Sequence, residues 1–126
     1  MNIPNKVLEG VKIAVALRSA RIAIGWNQLE FADKLEVAKS TVARIETLEV
    51  APKAELLIKA LRIFRDAGVV IDLLSLDKVV VTVETAGLQE ALSRLNNEQM
   101  RRADRAVPSP NYVSSDVETN PNAGTW

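Results

Sequence analysis

Apolar residues in the first half of the chain recur three and four positions apart, and short breaks of helix-ending residues divide them into segments. Val7, Val11, Ala14, Leu17 and Ile24 follow this spacing and predict a helix over about residues 5–23. Pro4 suits its first turn, where a missing N–H costs nothing, and Gly25 suits its end. Asn27 opens a second helix, because Glu30 stands three residues on, as a capping box requires. Leu29, Ala32 and Leu35 are expected on its inner face, with Phe31 close beside it. A break near Glu36 and Val37 precedes a third helix, Lys39 to Glu46, with Val42 and Ile45 facing inward. After the loop "TLEVAP", a fourth helix is expected from about Lys53 to Ala67, burying Leu56, Leu57, Ala60, Leu61 and Phe64 and stopping at Gly68.

The period then changes. "VVIDLLSL" and "VVVTVE" are rich in β-branched residues, and Val79, Val81 and Val83 alternate with Val80, Thr82 and Glu84, which is strand spacing. These predict a hairpin or two short strands with Asp77-Lys78 between them. Helical spacing returns in "AGLQEALSRLNNEQMRRADRA", with Leu88, Leu92 and Leu95 on one stripe that fits a partner surface or packing within the monomer. The final "VPSPNYVSSDVETNPNAGTW" holds three of the five prolines and no periodicity, so a flexible tail is expected. The chain therefore divides into a helical domain at 1–68, a hairpin-plus-helix dimerisation element at 69–106 and a tail at 107–126. A two-stranded ribbon is weak alone and its edges invite pairing, which favours a homodimer through the strands, the following helix or both.

Composition narrows the chemistry. Hydrophobic residues make up 48% of the 126 positions, enough for a core, while aromatics are only 4%. Cysteine and histidine are both absent, which removes disulfides, thiolate chemistry, the usual zinc sites and the commonest general base. Lys39 and Ser40 point apart on a helix, and Asp72 and Asp77 lie near a turn with no pocket-like pattern around them. Five scattered glycines build no phosphate loop. No enzyme, cofactor or metal site is expected. Nor is a membrane span: no apolar run approaches roughly 18 residues, and the N-terminus lacks a signal peptide's basic start and apolar centre. A cytoplasmic protein is expected.

A net charge of +0 argues at first against nucleic acid, whose binders are usually basic. The total hides a split. Residues 1–66 carry 11 bases against 8 acids, a balance of +3, and residues 67–126 carry 5 against 8, a balance of −3. An anionic partner would meet the N-terminal half.

That half contains "WNQLEFADKLEVAKSTVARIE". A helix-turn-helix needs small and apolar residues where its two helices cross, and a second helix that is apolar inside and polar outside. Ala32 is small at the close approach, and Val37, Val42 and Ile45 fill the junction. Lys39, Ser40, Ala43 and Arg44 face outward, with Thr41 near the start of the helix. An ordinary helical pair, or a helix-turn-helix that binds protein, would share part of this pattern. Trp26 reads as a core or rim residue, and with so few aromatics single-strand binding by base stacking is disfavoured.

The longer stretch "ALRSARIAIGWNQLEFADKLEVAKSTVARIETLEVAP" resembles the Xre-type family, the DNA-binding domain of lambdoid phage repressors and Cro proteins. The resemblance covers about residues 15–84. It implies a mainly α fold: a five-helix lambda-repressor-like helix-turn-helix domain, here followed by a short β-hairpin and a C-terminal helix. It also implies roles. Gln28 matches a glutamine that touches a phosphate and supports the recognition helix. Lys39, Ser40 and Arg44 match positions facing the major groove, Thr41 lies near the sugar-phosphate wall, and Lys53 joins the DNA-contacting set. Arg21 and Glu46 match a structural ion pair tying the first helix to the third. The implied partner is a double-stranded DNA operator, bound by a homodimeric repressor of phage or mobile-element type. The alternative is a protein-interaction module such as an antitoxin or a phage factor that binds RNA polymerase or another regulator, with the C-terminal region meeting the partner.

Two positions depart from the family. Glu36 replaces the glycine usual in the turn, and if that position needs φ > 0 it carries strain of order 1 kcal/mol. Ala38 replaces the usual Ser or Thr cap, forgoing about 1 kcal/mol.

Overall fold

The computed structural model describes residues 3–105. Five helices and one hairpin follow in the order α1 (Asn5–Ala23), α2 (Gln28–Leu35), α3 (Lys39–Glu46), α4 (Ala54–Asp66), β1 (Val69–Asp72), β2 (Val80–Val83) and α5 (Thr85–Arg105). Four helices thus precede the hairpin and the fifth follows it, a mainly helical fold as the resemblance implied. The described residues divide into two units between Leu95 and Asn96. The tail expected at 107–126 lies outside the described residues.

The core of the first unit is built on aromatics despite their scarcity. Phe31 and Phe64 lie 4.8 Å apart between ring centroids, and Trp26 stacks on Phe64 at 5.4 Å and on Phe31 at 6.3 Å. Three of the five aromatic residues therefore fill one site, where α2 and α4 meet the turn after α1. Leu17, Ala20, Ile24, Leu35, Val42, Ile45 and Val69 close around them. Alanines at 16, 20, 32 and 60, each 1% exposed or less, let the helices approach closely. The Lys34 ammonium lies 4.7 Å from the Trp26 ring centroid, an attraction between cation and ring face.

Val7 is 53% exposed, because the first turn of α1 runs past the core. Two expectations are corrected here. Leu29 is outward, and Phe31 occupies the inner row of α2 with Ala32 and Leu35. The run "VVIDLLSL" is a strand only as far as Asp72. There Oδ1 of Asp72 accepts the Leu74 N–H at 2.8 Å and turns the chain out of the ladder, as aspartate does in loops.

The hairpin pairs Val69 with Val83 and Asp72 with Val80, antiparallel. Val69 is fully buried in the helical core, with Ile71, Val81 and Val83 packed against it. The loop after β1 is clamped from α1. Lys12, 5% exposed, donates to the carbonyls of Ser75 at 2.6 Å and Leu73 at 3.1 Å, and to Glu9 at 3.2 Å.

The start of α5 is seated by two glycines. Gly68 has φ 94, open to glycine without cost, and a Cβ there would collide with the backbone of Gly87. The Glu84 N–H donates to the Gly68 carbonyl at 2.8 Å. Leu88, Leu92 and Leu95 remain exposed, so nothing among the described residues covers that stripe. Beyond Leu95, Arg102 pairs with Glu98 at 2.9 Å along the helix. Among the described residues, no helix is long and apolar enough to cross a membrane.

Candidate nucleic-acid interface

The entry to α2 is fixed locally. Asn27 Oδ1 accepts the Glu30 N–H at 2.8 Å and Glu30 Oε1 accepts the Asn27 N–H at 3.1 Å, a complete capping box. The exit is a tight turn. Glu36 adopts φ 61, ψ 41, in the left-handed region, and the Val37 N–H reaches back to the Ala32 carbonyl at 3.0 Å. This is the conformation in which a residue with Cβ is strained. Its carboxylate lies 3.4 Å from the Lys59 ammonium on α4, which also caps the Leu35 carbonyl at 3.1 Å. The acid beside the outer face is thus partly offset by a base from the neighbouring helix.

Helix α3 follows with no side-chain cap, since Ala38 has nothing to offer its first N–H groups. Val42, Ile45 and Glu46 are buried, while Lys39, Ser40 and Arg44 are exposed and Thr41 and Ala43 are half-buried. Ser40 and Arg44, four apart, share one outward row, and Lys39, also exposed, opens the first turn of the helix. Arg44 is 4.0 Å from Glu49, with both side chains more than 60% exposed, so the pair is weak and easily exchanged for another anion. Lys53 is exposed at the N-cap of α4.

The inner end of α3 is held far more firmly. Arg21 Nε donates to Glu46 Oε2 at 2.7 Å and Nη2 to Oε1 at 2.9 Å, a two-pronged pair. Arg21 Nη1 donates to the Trp26 carbonyl at 2.9 Å, and Gln28 Nε2 donates to Glu46 Oε1 at 3.1 Å. The Glu46 side chain is 3% exposed and that of Arg21 11%. One carboxylate therefore joins the end of α1, the start of α2 and the end of α3. Gln28 retains a second amide hydrogen and its backbone N–H at the first turn of α2, both available to an anion.

Three features escaped the sequence reading. Leu48 takes φ 67 immediately after α3, a second left-handed residue that no glycine announced. Lys12, counted with the free bases, is buried. Its place four residues before Ala16 on the inner row of α1 was the available signal. Arg94 of α5 bonds Glu30, a contact 64 residues apart in sequence. Burial pushes the Glu30 carboxyl up, but the Asn27 N–H and the charges of Arg94 and Lys34 outweigh it and hold the group below its ordinary value.

The family model described as "Helix-turn-helix" matches residues 17–65, the span from the middle of α1 to the end of α4, and that family is a DNA-binding regulatory domain. No curated protein and no solved structure matches the chain.

Proposed function

We propose that this chain, which carries an Xre-type helix-turn-helix domain over residues 17–65, is a cytoplasmic sequence-specific transcriptional regulator. It acts as a repressor of phage or mobile-element type and reads an operator through α3 as a homodimer. The observation that carries the reading is the division of α3. Its inner end is locked by the Arg21–Glu46–Gln28 network, while Lys39, Ser40 and Arg44 stand exposed and without a strong partner on the opposite face.

In this reading Arg44 bonds a guanine edge through two N–H groups, a contact worth roughly 1–3 kcal/mol of discrimination. Ser40 bonds a neighbouring base edge, and Lys39 reaches a base or a phosphate from the N-terminus of α3. Gln28, Thr41 and Lys53 meet the sugar-phosphate wall and fix the register. Repression needs only that the bound protein occupy a promoter. A dimer sets two copies of α3 on one face of the duplex about one turn (~34 Å) apart.

A second reading, an interaction module that meets a protein partner through its C-terminal half, is favoured by Leu74 and Leu76, 93% and 87% exposed on a clamped loop. Mobility shift with DNA flanking the chain's own gene separates the two. The regulator retains a specific fragment, with affinity falling steeply as salt rises. A chain that retains no fragment at low salt is the interaction module.

A further inference from the structure

Helix α5 rests on the helical domain at two points that lie on one face. Gly87 and Arg94 are about two helical turns apart, so both turn to the same side. Gly87 is buried against Gly68, just past α4, and a Cβ on it would stand 2.7 Å from the Gly68 carbonyl oxygen. Arg94 lies over the turn between α1 and α2, where a Cβ on Gly25 would stand 3.1 Å from the Arg94 Cβ. Its guanidinium donates to Glu30 Oε2 and lies 3.9 Å from Glu90 on its own helix. Arg94 stands outside the helix-turn-helix span 17–65.

Glu30 divides its carboxylate between two tasks. Oε1 accepts the Asn27 N–H and closes the cap of α2, while Oε2 is taken by Arg94. The neighbours of Asn27 are also held. Arg21 Nη1 donates to the Trp26 carbonyl, and Gln28 Nε2 donates to Glu46 in the last turn of α3. Hydrogen bonds and one peptide bond thus lead from α5 through Glu30, Asn27 and Gln28 to the end of α3. The Arg94 and Glu30 side chains are 30% and 31% exposed, so the pair adds little to global stability. Its effect is local: a carboxylate at an open cap can leave it for water, and a guanidinium on its second oxygen keeps it in place.

We propose that Arg94 is a positioning residue for operator reading. Through Glu30 it fixes the entry of α2, and through the Gln28–Glu46 bond it fixes the pose of α3. The strength of reading then depends on the docking of α5, a helix outside the reading head. The inference rests on the DNA-binding reading for its effect on affinity, and on the Arg94–Glu30 contact alone for its effect on α2.

Arg94→Met in the full chain removes the guanidinium and keeps an apolar stem over Gly25. Without DNA, amide exchange at Asn27, Glu30 and Phe31 is expected to quicken roughly 2–30-fold, the range for a change along a coupling network. Phe64 and Val69, in the core, should keep the parental rate. Specific affinity for the retained fragment should fall over the same range with the salt slope unchanged, and Arg94→Lys should recover part of both. Arg94→Met combined with Glu30→Gln should bind no more weakly than the weaker single variant, because both cut one path.

Parental exchange at α2, an equal quickening at Phe64 and Val69, unchanged affinity, or additive losses in the double variant each overturn the positioning role. A salt slope lower by about 1 overturns it in favour of a direct contact between Arg94 and a phosphate. The exchange measurement needs no DNA, so the two readings fail separately. A parent that retains no fragment, while Arg94→Met quickens α2, sinks the operator reading alone.

Discussion

Arg21 and Glu46, 25 residues apart, meet through two parallel hydrogen bonds in a site where the carboxylate is 3% exposed. The last turn of the candidate recognition helix is thereby bolted to the last turn of α1. Removing one partner strands a buried charge, which costs about 3–5 kcal/mol. Glu46→Ala and Arg21→Ala are each expected to lose that much in urea denaturation. Replacing both by apolar residues of similar size should cost much less than either single change. Equal losses for single and double variants would show that packing, not charge, holds this corner.

Arg44 is expected to matter for reading and not for folding. Its pair with Glu49 is long and exposed, so Arg44→Ala should leave the thermal midpoint within about 2–4 °C, as surface changes usually do. Specific affinity should fall roughly 5–150-fold, the equivalent of about 1–3 kcal/mol. Lys39→Ala, if Lys39 meets a phosphate, should weaken all sequences alike and lower the salt slope by about 1. An Arg44→Ala chain that binds its fragment like the parent would sink the readout assignment.

Two positions invite stabilisation. Glu36 at φ 61 and Leu48 at φ 67 hold a conformation that glycine adopts freely. Glu36→Gly is expected to gain about 1 kcal/mol from relieved strain, reduced by glycine's greater unfolded-state freedom and by loss of the Lys59 contact. Leu48→Gly has no such contact to lose and should gain at least as much. Chemical denaturation midpoints check both, and a loss at Leu48 would mean that its exposed side chain makes a contact worth more than the strain.

Glu30 gives the fold a pH dependence of known sign. Its carboxyl is held below its ordinary value in the folded chain, so the unfolded chain takes up the proton first as pH falls. The stability it contributes is complete above the ordinary carboxylate range, about pH 4.3, and drains away as pH drops through the lowered folded value. Denaturation curves collected down through this acid range should show the loss, and Glu30→Gln should flatten that part of the profile. An unchanged profile in Glu30→Gln would assign the acid sensitivity to other groups.

The parts of this structure that were legible in the sequence are those written within a few residues. The Asn27–Glu30 capping box follows from side chains meeting backbone three positions away, and the break at Glu36 and the extent of α3 follow from the local helical spacing of the apolar residues on either side. The alternation of Val79, Val81 and Val83 likewise marked the strand that became β2. Positions in two-turn helices were harder. Leu29 and Phe31 are both apolar in an eight-residue helix, and only the aromatic cluster with Trp26 and Phe64 decides which turns inward. What remained hidden runs between distant segments. Lys12 to Ser75, Lys59 to Leu35 and Arg94 to Glu30 are contacts of long side chains across 63, 24 and 64 positions, and no spacing rule records them. Lysine and arginine also read as surface residues in any pattern, although their stems reach far enough to satisfy carbonyls and acids well inside the fold.

The two left-handed residues have a consequence in time as well as in energy. They flank α3 on both sides, and the helix begins with no cap, so its first turn rests on little besides Val42. Local opening is easiest where strain is relieved and few bonds are lost. Amide exchange should therefore be faster at Lys39, Ser40 and Thr41 than at Ile45 and Glu46, where the Arg21 pair anchors the chain. If α3 enters a duplex as proposed, the end expected to open most easily is the one carrying Lys39 and Ser40, and binding should slow that opening before it changes anything else.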